Sequence, residues 1–206
     1  ACIEAMKDLR DPQIAVVRET AGGYLAFMRS DFETARSAFG RAFALKPGNI
    51  ALLELLLRID LIQSRKSEAL SHAKALLSIS SGHAFGNYIM AGVQLDNGEY
   101  ELAESSLRRS LASRQTAEAY NDLAWVLQWR AAYDEAEKMA RMSLKMNDKR
   151  CDTWDTLGVI LMKTKRLDDA EQAFDKAISL YQDDMRFFIH MAELQDAENH
   201  AVVRKL

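Results

Sequence analysis

The chain is poor in the residues that break helices. It has two prolines and nine glycines in 206 residues, too few for the many tight turns of an all-β fold. No run of about 18 apolar residues occurs, which excludes a membrane-spanning helix. The two cysteines, Cys2 and Cys151, lie far apart in helical patterns. They read as small, unpaired core thiols rather than as a disulfide. An excess of one charge is also missing: 27 Lys and Arg stand against 30 Asp and Glu, for a net −3. That balance gives no general pull toward nucleic acid or an anionic membrane. The opening residues Ala1 to Met6 lack the basic start and apolar core of a signal peptide. With no initiator methionine, the chain reads as a processed form or an excised fragment. Cytoplasm and periplasm both stay open.

Catalytic patterns are absent too. There is no phosphate-cradling glycine loop, no His-Glu-x-x-His and no Cys-x-x-Cys. His72, His83, His190 and His200 lack metal-ligand spacing. The pairs Asp168-Asp169 and Asp183-Asp184 could suggest acid/base chemistry, but both stand at expected helix starts and read as caps. The expectation is therefore a chain with no enzyme activity, no cofactor and no metal.

What is present is a ladder. Ala35, Ala69, Ala103, Ala136 and Ala170 are separated by 34, 34, 33 and 34 residues. A fixed period within about 20–50 residues marks a stacked-repeat protein. Each alanine follows a short polar turn, such as Asp96-Asn97-Gly98-Glu99 or Lys165-Arg166-Leu167-Asp168. Acidic and hydroxyl residues in these turns are expected to cap the helix that follows. Apolar residues spaced three and four apart run before the turn (Trp154, Leu157, Leu161) and after it (Ala170, Ala173, Phe174, Ala177). That spacing predicts a pair of helices, A and B, in each unit.

The units resemble the tetratricopeptide repeat, whose pattern sets Trp, Leu, Gly and Tyr along helix A and Ala, Phe, Ala and Pro along helix B. With the ladder alanine as position 20, units fall at 16–49, 50–83, 84–116, 117–150 and 151–184. The last carries Trp154, Leu157, Gly158, Ala170, Phe174 and Ala177, and the first carries Gly23, Ala35, Phe39, Ala42 and Pro47. The middle units depart from the pattern: Leu57 replaces the small residue at position 8, and Ala73 and Ala140 replace the bulky one at position 24. The resemblance implies an all-α, right-handed superhelical solenoid, one array over 1–206. Residues 1–15 would hold the helix of a preceding half-unit. Residues 185–206 would be a capping helix or a shortened repeat that turns at Ala197 to His200. Gly22-Gly23, costly inside a helix, is expected to reflect close approach of the N-terminal helix. Met139, Met142 and Met146 read as packing residues.

The resemblance also implies a site. In this family the A helices line a concave groove, with positions 2, 5, 6, 9, 12 and 13 turned into it. Carried onto this chain, those positions point to Tyr24, Arg58, Tyr88, Asn121, Asp122, Trp125, Trp129 and Asp155 as the partner-binding groove. Phe27, Leu61 and Leu95 fall in the same positions but are expected to pack between helices. Asn121 fits one place of the family's carboxylate clamp, but Val17, Thr20, Phe85 and Asp152 stand where polar or basic groups would be needed, so a clamp is rejected. The groove would be aromatic, and acidic at its far end through Asp122, Asp152 and Asp155. The fifth unit holds eight acidic against four basic residues over 151–184. The function implied is non-enzymatic: a scaffold that binds a protein or peptide partner, with no nucleic acid and no membrane insertion. Tyr120 to Trp125 followed by Trp154 to Gly158 is similar to paired units in bacterial envelope and exopolysaccharide-associated repeat proteins, which points toward envelope assembly. A structural spacer that self-associates as a homo-oligomer, or a regulatory array attached to a catalytic domain outside this chain, are the alternatives.

Overall fold

The structure, a computed structural model, describes residues 11–203, with side chains through Asp196. Eleven α-helices and no strands occur among the described residues. They are α1 (Pro12–Met28), α2 (Phe32–Leu45), α3 (Ile50–Ile62), α4 (Lys66–Ile79), α5 (Ala84–Asp96), α6 (Tyr100–Ser113), α7 (Ala117–Trp129), α8 (Tyr133–Met146), α9 (Cys151–Lys163), α10 (Leu167–Leu180) and α11 (Met185–Val203). Odd and even helices alternate as the A and B members of helix–turn–helix repeats, an all-α solenoid class. The chain divides into two compact units, Ala1–Val93 and Gln94–Leu206.

In the first unit α1 packs on α2, α2 on α3, and α3 on α4. In the second, α7 packs on α8 and α9 on α10; α9 also meets α7, α8 and α11, and α11 meets α10. Every ladder alanine is buried, Ala69 at 2% exposure and the other four at 0%. At this A–B crossing the side chains at positions 8 and 24 share one space. Gly23 faces Phe39 and Gly158 faces Phe174: a Cβ on either glycine would sit 2.5 Å from a ring carbon. Where position 8 is Leu57, position 24 is Ala73, and both lie in one buried cluster with Ala69 and Leu76. In this unit the departure from the family pattern is thus an exchange of bulk that keeps the crossing filled, whereas in the 117–150 unit both positions, Ala124 and Ala140, are small and buried. Gly23 is accounted for by Phe39, and the N-terminal helix expected to approach it lies outside the described residues. Among the described residues, nothing lies near the missing Cβ of Gly22.

The A–B turns are closed by backbone bonds. Ser30, Ser64, Gly98, Ala131 and Lys165 all have positive φ, each five residues before its ladder alanine. The next residue's N–H then reaches back to Ala26, Asp60, Gln94, Leu127 and Leu161 O, at 2.8–3.0 Å. This is the Schellman closure, which leaves little for a side-chain cap to do. Of the B helices with an assigned cap, only α2 is capped as expected, by Asp31 to Thr34 N at 3.1 Å. At α4, α6, α8 and α10 the N-cap residues are Arg65, Glu99, Ala132 and Arg166, with no side-chain cap bond. Their acidic residues, Asp168 and Asp169 among them, sit inside the first turn, where they act on the helix dipole. Side-chain caps recur on A helices instead: Asp11, Asn49 and Thr116 cap α1, α3 and α7.

The ends also differ from expectation. Helix α1 starts at Pro12, capped by Asp11, so it begins ahead of the boundary set at residue 16. The expected half-unit helix falls mostly in residues 1–10, outside the described residues. Helix α11 continues through Ala197 to His200 without the expected turn. Asp184 opens it, accepting from Arg186 N at 3.0 Å, and the Arg186 guanidinium holds the Asp184 carboxyl down to about 2.

Candidate functional site

The sequence-expected groove residues divide between the two units. Tyr24, Arg58 and Tyr88 belong to the first. Tyr24 is 47% exposed and rests edge-on against Phe39, with ring centroids 5.3 Å apart. Arg58 is already engaged: it bonds Glu54 at 2.7 Å and lies 4.5 Å over the Phe85 ring. Tyr88 is half-buried. Phe27 packs edge-on against Phe32 and Leu95 is half-buried, but Leu61, expected to pack, is 40% exposed. Met139 and Met142 are half-buried, whereas Met146 is 49% exposed.

The other five, Asn121, Asp122, Trp125, Trp129 and Asp155, lie in the second unit, and it is here that a site forms. Trp125 and Trp129, one turn apart on α7, stand 5.7 Å from each other by ring centroids. Tyr100, the first residue of α6, stacks on Trp129 at 6.0 Å with ring planes 6° apart, and meets Trp125 edge-on at 5.8 Å. Trp129 nevertheless remains 61% exposed. The two indoles border a pocket of about 340 Å³. One wall is Trp125, Gln128 and Trp129. Opposite them α9 presents Asp155, Thr156, Val159 and Lys163, while Tyr133 and His190 complete the lining. Val159 and Lys163 are the repeat equivalents of Trp125 and Trp129, 34 residues on, so the pocket lies between successive A helices.

Its polar groups are of two kinds. Asp155 is buried, and the His190 Nδ1–H donates to its Oδ1 at 2.7 Å. That bond, opposed by burial, holds the His190 imidazole above its ordinary pKa. The side-chain Oε1 of Gln128 is buried without a hydrogen-bond partner, and so is Oδ1 of Asn121, one turn before Trp125 on α7. A buried acceptor left unpaired costs about 1–3 kcal/mol, so such atoms invite a donor.

The acidic end is largely paired within the protein. Arg150 bonds Glu118 and Asp152, both at 2.5 Å, and Asp122 contributes to the field around it. Asp155 is matched by His190. Tyr100, Tyr133 and His190 stand outside the sequence-expected groove. The first two share position 17, the start of helix B, which no groove rule names. His190 was within reach: in a sixth unit opening at residue 185 it holds position 6, a groove position. Among the described residues, no three His, Cys, Asp or Glu side chains gather where a metal could bind.

Two tetratricopeptide-repeat profiles match, at residues 116–147 and 151–184, which hold all of the pocket lining except His190. Many solved repeat structures share the fold. The chain is a tetratricopeptide-repeat protein. One similar structure is PilF of Pseudomonas aeruginosa, 16% identical, with a TM-score of 0.71 over 92% of this chain and 87% of that one. MamA of Desulfovibrio magneticus is 15% identical, with a TM-score of 0.67 over 82% and 96%. YrrB, a tetratricopeptide-repeat protein with an unusual peptide-binding site, is 17% identical, with a TM-score of 0.67 over 84% and 90%. No curated protein matches the sequence. Tetratricopeptide-repeat proteins are in general non-catalytic scaffolds for protein–protein interaction, and this fold supports that role here.

Proposed function

We propose that this tetratricopeptide-repeat protein binds an extended or helical segment of a protein partner on the α7–α9–α11 face of its second unit. The observation that carries this reading is the Tyr100–Trp125–Trp129 stack, which leaves Trp129 61% exposed at the mouth of the pocket. A rigid, pre-stacked indole offers contact area at little entropic cost, and tryptophan is enriched among residues that dominate binding energy. The likeness to YrrB, which has a peptide-binding site, runs in the same direction. Replacing both Trp125 and Trp129 with Ala should abolish partner binding, at about 2 kcal/mol or more for each indole, while helicity by circular dichroism persists. The readout is recovery of a partner from the source cell by the wild type but not by the double variant. Undiminished recovery refutes the reading.

A second reading rests on a different observation. Helix α11 exposes Met185 at 70%, Phe188 at 45% and Ile189 at 52%, an apolar stripe suited to a second copy of the chain. A sedimentation coefficient that stays constant across a concentration series would exclude it.

A further inference from the structure

We infer that the α7–α9–α11 pocket seats a basic side chain of the partner segment, best an arginine, and that His190 competes with it for Asp155. This rests on the reading that a partner docks on this face, and it specifies what enters the pocket. The acceptors come first. Gln128 lines the pocket, and its Oε1 is buried beneath the surface without a partner. Asp155 offers a carboxylate of which only Oδ1 is engaged, by His190 at 2.7 Å. The indole faces of Trp125 and Trp129 add the negative side of an aromatic quadrupole, and a planar guanidinium can stack there while donating to both oxygens. A carboxylate ligand would leave Gln128 Oε1 unmatched and would face Asp155 at close range. An apolar side chain would leave both acceptors buried without a donor.

The charges around His190 fix how pH enters. On its own helix Glu193 favours its protonated form and Arg186 disfavours it, while Asp184 at the helix start favours it. From α9 come Asp155, in direct contact, and Lys163 across the pocket. Helix α10 contributes the uncharged Phe174 ring, 5.9 Å away. Protonated His190 occupies Asp155 and repels an incoming cation; neutral His190 does neither as strongly. A basic ligand therefore displaces a proton from His190, and it binds more tightly as pH rises. An acidic ligand would show the opposite slope.

The test selects random displayed peptides against the full chain at about pH 8 and measures the best binders by tryptophan fluorescence. The recovered peptides should share an arginine or lysine whose replacement by norleucine weakens binding about tenfold or more. Affinity should rise between about pH 6 and about pH 8, the range in which histidine titrates, and that slope should flatten in His190→Gln. Gln128→Leu should weaken binding. Lys163→Glu, at an exposed position that leaves packing untouched, should strengthen it. Peptides that bind in a Trp129-dependent way but carry an acidic or apolar anchor overturn the inference and leave the docking reading standing. A Lys163→Glu variant that weakens binding, or an affinity that falls as pH rises, also overturns the inference. Failure to recover any Trp129-dependent peptide overturns both.

Discussion

The adjacent glycines of α1 should respond in opposite directions to the same substitution. Gly22→Ala and Gly23→Ala each gain about 1 kcal/mol of helix propensity. At residue 22 nothing among the described residues lies within 4 Å of the added Cβ, so the whole gain should appear. At residue 23 the new carbon would sit 2.5, 2.7 and 2.9 Å from Cε1, Cδ1 and Cζ of Phe39. Carbon contacts are favourable only near 3.5–4.0 Å, so the ring must retreat by about 1 Å. It has no room: Phe39 is fully buried among Ala26, Ala35, Ala42, Leu52 and Leu56, with Tyr24 on its edge. Overpacking of this kind costs about 1–3 kcal/mol. Toward the upper end of that range, Gly23→Ala should lose about 1–2 kcal/mol net while Gly22→Ala gains about 1. Urea unfolding followed by circular dichroism would read the difference as midpoints moving apart at a common slope. Adding Phe39→Leu to Gly23→Ala should recover part of the loss by vacating the ring edge. If Gly23→Ala proves as stabilising as Gly22→Ala, the position 8–24 account of the crossing is wrong.

Ala131 holds the left-handed conformation at φ 56° in the α7–α8 turn. Ala131→Gly should stabilise the chain by about 0.5–1 kcal/mol, read as a rise in the urea midpoint. Asp60 is fully buried and accepts from Arg36 Nε at 2.7 Å and from His72 Nδ1 at 2.6 Å. Asp60→Ala should destabilise by about 3 kcal/mol by leaving those donors unmatched, and a loss under about 1 kcal/mol would contradict this. His190 has a folded-state pKa raised chiefly by its bond to Asp155. Its contribution to stability is therefore complete below the unfolded value and is lost as pH rises through the folded one. Unfolding midpoints measured across that window should fall in the wild type and fall less in His190→Gln.

Local chemistry made much of this chain readable. The alanine ladder announced the repeat because close helix crossing admits only a small side chain, and that requirement recurs at every unit. The capping expectation failed for a local reason as well. The left-handed turn residue closes each A helix through its backbone, and of the five only Gly98 is the glycine that would have advertised it. Four turns hide the same geometry behind Ser30, Ser64, Ala131 and Lys165.

The candidate site was legible only in part. Trp125 and Trp129 could be assigned because their positions follow from the register. Whether the acidic residues beside them carried open charge could not, since pairing depends on distance in space. Arg150 reaches Glu118 across 32 residues, and His190 reaches Asp155 across 35. By itself the sequence determined the helices and the repeat, because those follow from periodicity within one unit. Only the tertiary structure decided which bulky residue fills each crossing, which charges cancel, and that Gln128 and Asp155 line one pocket. Those outcomes belong to contacts between helices, where separation along the chain carries no information about separation in space.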